Sequence, residues 1–171
     1  MLPEHERDAL IEKYQLLEKF QELGIDQLTK AIAQQFGVLG ATISIVTESR
    51  VWFKSKYGIL INEIEFDQSL SRELLKSDKE YMVIEHLSLD ETYSHHPLQT
   101  NYGLEFFAAA PLFIEGSLAF GALCVFGTEP LKPNQKQLKA LTSIAGQISQ
   151  LIKNEVSERE ELAHDFGKES F

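Results

Sequence analysis

Hydrophobic positions along this 171-residue chain change their period several times, and each change marks an element. Leu10, Tyr14, Leu17 and Phe20 follow a spacing of four, three and three, which predicts a helix over 7–22 with one apolar face. Gly24 stops it, and Asp26 is placed to cap a second helix carrying Leu28, Ile32, Ala33 and Phe36, with Gly37 and Gly40 marking the exit. From Ala41 the period falls to two. Ile43 and Ile45 point to one side, Thr42, Ser44 and Val46 to the other. A polar turn, Glu48-Ser49-Arg50, leads into a second strand, VWFKSKYG, so the pair predicts an antiparallel hairpin.

The middle of the chain, 62–101, is less regular. Asp67 or Ser69 is placed to cap a short helix with Leu70, Leu74 and Leu75, and YMVIEHL reads as a brief strand. SLDETYSHHPLQTNYG is rich in turn formers and predicts a long loop with one turn of helix. Two strands follow over 104–114 and 118–128, apolar on both faces and therefore central in a sheet, with Pro111 marking an irregular ladder position. Pro133 and Asn134 open a last helix in which Leu138, Leu141, Ala145, Ile148 and Ile152 repeat at three and four. A line through Val156 and Leu162 prolongs it. The result is an α+β architecture: an antiparallel sheet with helices packed on it. The division expected is an N-terminal helix at 1–22, a core at 23–153 that includes the closing helix, and a charged extension at 154–171.

Charge narrows the partners. With 26 acidic and 16 basic residues the formal net charge is −10, and Lys54, Lys56, Lys132, Lys136 and Lys139 are scattered. Neither nucleic acid nor an anionic membrane surface suits such a chain. Cys124 is the single cysteine, which excludes an internal disulfide and a cysteine zinc site. The N-terminal residues lack an apolar leader, and the longest apolar run, FFAAAPLFIEGSLAFGALCVFG, is split by Glu115 and Gly116. A soluble, cytoplasmic protein is the expectation.

Four blocks carry a family likeness. FGVLGATISIVTESRVWFKSKYG resembles the first hairpin of bacterial GAF domains, and LEFFAAAPLFIEGSLAFGALCVFGTEP resembles their second. DETYSHHPLQTNYGLEFF fits the connecting piece, and NQKQLKALTSIAGQISQLI the closing helix. The resemblance runs over about residues 8 to 153 and implies six antiparallel strands, terminal helices on one face and a loop-enclosed pocket on the other. It implies a sensory module of signal transduction and leaves the ligand open, since members bind cyclic nucleotides, tetrapyrroles, metabolites, metal centres or nothing. The Asn-Lys…Phe…Asp-Glu pattern of cyclic-nucleotide binders is missing. Where relatives often read Ser-Phe-Cys-Ala-His, this chain has Ser69-Leu70-Ser71-Arg72-Glu73, and His86 stands where relatives often have Asp. Free methionine sulfoxide reductases share the fold but cycle through several cysteines, and Cys124 is alone.

The densest polar group is His86, Asp90, Glu91, Tyr93, His95 and His96. It reads as a pocket-lining segment, a metal-holding group or a solvated loop, although adjacent histidines cannot both face one metal ion without an unusual backbone. Trp52 and Lys54 share a strand face, suited to an anionic ligand or to packing with the ammonium reaching solvent. Cys124 between Leu123 and Val125 reads as a buried, inert thiol. Glu63 and Glu65 alternate with Ile64 and Phe66 as solvated carboxylates do, and no nucleophile elbow, phosphate loop or zinc-protease helix occurs. No catalysis is expected. The pocket is expected to be lined by Trp52, Tyr93, His95, His96, Tyr102, Phe106 and Ala108. The apolar seams of both end helices predict a homodimer, and the charged exit after Ile152 suits a link to an output protein or domain. A ligand-free interaction module is the alternative, and a sulfoxide-reductase-like enzyme the remote one.

Overall fold

The structure, a computed structural model, describes residues 4–18 and 24–169, with side chains described through residue 164. Helices α1 (Glu4–Lys13) and α2 (Ile25–Phe36) precede strands β1 (Gly40–Val46), β2 (Arg50–Tyr57) and β3 (Glu63–Glu65). Helix α3 (Ser71–Leu75), strand β4 (Met82–Ile84) and the single-turn helix α4 (Pro97–Thr100) follow. Strands β5 (Phe106–Glu115) and β6 (Leu118–Gly127) and the long helix α5 (Gln135–Glu169) complete the order. The two predicted hairpins meet through β1 and β6, giving a six-stranded sheet of order β3-β2-β1-β6-β5-β4 in which every pairing is antiparallel.

Both faces of the central strands are covered, so their near-continuous hydrophobicity has a physical reason. The back face takes Ile43, Ile45, Phe106, Ala108, Leu123 and Val125 into one core with Ile32 and Phe36 of α2 and Leu141, Ile148 and Ile152 of α5. The Phe36 and Phe106 rings stack with centroids 6.0 Å apart. The front face takes Phe107, Ala109, Ala122, Cys124 and Phe126 into a second core under Leu70 and Leu74.

Local signals explain the helix ends. Gly37 takes φ 65°, and the amides of Gly37 and Val38 turn back onto the carbonyls of Gln34 and Ala33, closing α2. Asp26 lies inside the first turn of α2 rather than at its cap; its carboxylate accepts from the Ser55 hydroxyl on β2, and Gly24 holds the cap position. At α5 the Asn134 Oδ1 accepts from the Gln137 amide at 2.8 Å while Gln137 Oε1 accepts from the Asn134 amide at 2.9 Å, a reciprocal box. That helix runs far past Ile152.

The first helix is shorter than its periodicity predicts. Gln15 takes φ 52°, the chain turns over 14–17, and Leu16 drops fully into the back core. Lys54 holds the turn by donating to the carbonyls of Leu16 at 3.0 Å and Glu18 at 2.9 Å. Lys54 reaches them because it is the extra residue at a register shift, where Ile43 faces Ser55 and Ser44 faces Phe53. Phe20, expected on this helix, lies outside the described residues.

Candidate functional site

Alternation along β1 sends Thr42 and Ser44 forward, while Ile43 and Ile45 go back. Beside them β6 presents Cys124 and Phe126, and β5 presents Phe107. Over this floor stand Leu70 and Ser71 at the start of α3, Ile59, Ile61 and Ile64 around β3, and Leu98, Tyr102 and Leu104 from the segment before β5. Together they line a partly open cavity of about 220 Å³. Among the described residues no acidic, basic or histidine side chain lines it. Its polar groups are hydroxyls and one thiol.

Those hydroxyls come in pairs. Thr42 Oγ1 and Ser44 Oγ are 2.9 Å apart, and Ser69 Oγ and Ser71 Oγ 2.6 Å apart, each pair buried. Ser44 Oγ also lies 3.9 Å from Cys124 Sγ. Burial pushes the Cys124 thiol up to about 12, with the Ser44 and Thr42 hydroxyls pulling weakly the other way. Lys56, on the wall side, donates to the carbonyls of Leu60 and Ile61 and to Asn62 Oδ1, which occupies all three ammonium protons.

The expected pocket residues are not brought together. Tyr102 lines the cavity, half exposed at its mouth. Tyr93 packs half-buried against the front core, edge-on to the His96 ring at 6.4 Å, and burial raises its phenol. His96 caps α4: its Nδ1 accepts from the Leu98 amide at 3.1 Å, and burial first of all lowers its pKa, in keeping with a neutral acceptor. His95 faces solvent. Phe106 and Ala108 lie in the back core, one residue out of phase with the front-facing Phe107 and Ala109. Trp52 shares a recess with Lys54, Leu16 and Leu17, away from the front cavity.

The remaining loop groups serve the loop itself. Asp90 Oδ1 accepts from the amides of Thr92 and Tyr93. Glu105 accepts from both the amide and hydroxyl of Ser88 at 2.8 Å, with His86 Nε2 at 3.4 Å. Burial pushes the Glu105 carboxyl up, but Ser88 and His86 together outweigh it and leave the carboxyl below its ordinary value. Sequence reasoning missed Thr42, Ser44, Ser69 and Ser71. Their signal was present: small hydroxyl residues at every second position beside Ile and Leu.

An antiparallel sheet of this order, end helices behind and a recess in front, defines a known class of sensory fold. The chain belongs to the GAF domain family, whose model matches residues 23–152, and that family is typical of signalling proteins. A cyclic di-GMP phosphodiesterase of Pseudomonas aeruginosa is 28% identical over 131 residues, covering 76% of this chain and 22% of that protein. The chain thus spans about a fifth of that relative's length. The GAF domain region of a Geobacter sulfurreducens protein is 25% identical with TM-score 0.62, covering 84% of this chain and 97% of that one. The phycoerythrobilin-bound GAF domain of a cyanobacterial phytochrome superposes with TM-score 0.66 at 16% identity, over 93% of this chain and 99% of its own. Among the described residues no helix is long and apolar enough to cross a membrane.

Proposed function

We propose that this chain is a non-catalytic sensory domain that binds a small molecule in the front cavity and passes its occupancy to an output partner through the terminal helices. The observation that carries the proposal is the cavity itself, on one face of a sheet whose other face holds α2 and α5. Strand β1 touches both sides at adjacent residues, with Ser44 at the cavity floor and Ile43 and Ile45 under the helices. A ligand that binds one arrangement of segment 98–104 better than another shifts the population of the whole sheet-and-helix unit. The lining supports a binding role over a chemical one. Among the described residues it offers no acid or base, and its one thiol holds its proton at ordinary pH.

Native mass spectrometry of protein isolated without stripping tests this reading. The expected result is a bound mass of a few hundred daltons at most that disappears in Cys124→Phe, whose ring fills the floor. Bare polypeptide for the parent chain, under conditions that keep its fold, contradicts it.

The end helices favour a second, compatible reading. Helix α5 continues past Val156, the last of its residues in the back core, and carries Leu162 at 56% exposure. We propose that this stretch pairs with a second copy. Light scattering would then give twice the mass of the chain, reduced to one by Leu162→Glu.

A further inference from the structure

We infer that the cavity takes an uncharged, mainly apolar compound with at least one hydrogen-bond-accepting atom, and rejects anions, cyclic dinucleotides among them. The inference rests on the sensory reading above and names the chemistry of its ligand.

Charge excludes first. A buried anion needs a cation or several donors to replace its water, and among the described residues the lining contains no Lys, Arg or His. Two neighbouring cations, Lys56 and Arg72, are committed elsewhere. Lys56 spends its three protons on Leu60, Ile61 and Asn62. Arg72, next to the lining residue Ser71, lies over the Phe66 ring at 4.8 Å and pairs with Glu73 at 3.2 Å. The net charge of −10 repels an anion before it arrives.

Donors select next. The Thr42–Ser44 and Ser69–Ser71 pairs hold four hydroxyl protons, and a bond within each pair uses one. Each pair is therefore left with a second proton. For the first pair the remaining protein acceptor is the weak Cys124 sulfur at 3.9 Å; for the second, the described residues supply none. All four side chains are 2–3% exposed and line the cavity. A carbonyl, ether or ring nitrogen on the ligand meets these protons.

Size and entry agree. A cavity of roughly 150 Å³ lined by aliphatic side chains holds benzene. The 220 Å³ here suits one substituted ring or two fused ones. Leu39, Ile61 and Tyr102 line it while remaining 50%, 45% and 53% exposed, so its mouth is apolar as well.

A methyl NMR titration of the whole chain tests this, with shifts read at Ile64, Leu70 and Leu104. The probes are methyl benzoate (neutral, with an acceptor), ethylbenzene (neutral, without one), benzoate and cyclic di-GMP. Methyl benzoate is expected to saturate these shifts roughly tenfold more tightly than benzoate, and about fivefold more tightly than ethylbenzene. Removing both hydroxyls of the pair that the ligand meets, as Thr42→Val with Ser44→Ala or as Ser69→Ala with Ser71→Ala, should bring methyl benzoate down to the ethylbenzene level and leave ethylbenzene unchanged. Two variants guard against one that misfolds. Equal or tighter binding of benzoate or cyclic di-GMP at these methyls overturns the exclusion of anions and leaves the sensory reading standing. Methyl benzoate binding that neither variant weakens overturns the acceptor requirement. Failure of all four probes to move the cavity methyls overturns the inference and the sensory reading together.

Discussion

Two ionisable side chains report the environment of their faces. Cys124 is the front-face thiol, raised by burial from an ordinary value of 9.0 to about 12. Between those values the unfolded chain loses the thiol proton and the folded chain keeps it. This contribution to stability is therefore whole below about 9 and lost as pH climbs toward 12. Native protein at pH 8 should react with a disulfide reagent far more slowly than unfolded protein; equal rates would contradict the burial. Lys54 is the back-edge counterpart. Desolvation, aided by Arg159 and opposed by Glu18, lowers it from 10.5 to about 8. Because its charged form is disfavoured in the fold, its contribution favours folding increasingly as pH rises from about 8 to 10.5. Side-chain NMR should show one lysine titrating near 8, moved by Arg159→Ala; a Lys54 midpoint above 10 would refute the placement. The buried character of Cys124 was legible from its aliphatic neighbours, whereas the face it occupies was not. In β5 and β6 both faces are covered, so alternation carries no polar contrast, and a one-residue phase error exchanges Phe106 and Ala108 for Phe107 and Ala109. In β1 the contrast exists, and Thr42 and Ser44 are separated from Ile43 and Ile45 by inspection.

At the scale of elements, β6 is pinned to β1 by the absence of a side chain. A Cβ at Gly121 would meet the Ser44 carbonyl oxygen at 1.9 Å, backbone against side chain, in the pairing that joins the two hairpins. Gly121→Ala should cost about 2–3 kcal/mol, read as a lower urea midpoint at unchanged slope. It should also disturb the cavity floor at Ser44. A midpoint within experimental error of the parent would show that the strands separate without cost. A glycine inside an apolar strand already signals such an approach, though not which neighbour makes it. The hairpins, α2, the brief β4 and the opening of α5 follow directly from period, turn residues and caps. Helix α1 does not. Its apolar spacing continues through Leu17, yet Lys54 from a distant strand captures the carbonyls of Leu16 and Glu18, and a tertiary bond overrides the local pattern. The cap of α2 moved for a similar reason: Asp26 had the right chemistry, but Ser55 across the sheet uses it.

For the whole molecule, the sheet is the partition that gives the fold its logic: helices and an apolar core behind, a recess lined by apolar and hydroxyl side chains in front. Order of elements and family likeness made that partition legible before any coordinates. The recess's lining was not, because Leu70, Ile59 and Leu104 come from segments whose path depends on the front core. If the two sides communicate, hydrogen exchange should slow in segment 98–104 and in α5 when the cavity is filled; slowing confined to the loop would mean that binding stays local. The most direct measurement is a crystal structure of the protein isolated with whatever it carries, at a resolution that shows ordered small molecules. The account predicts non-protein density against Ser44, Ser71 and Phe107, with no phosphate or carboxylate in it. A floor closed by its own side chains, with Tyr102 and Leu70 packed directly on Phe107, would contradict it.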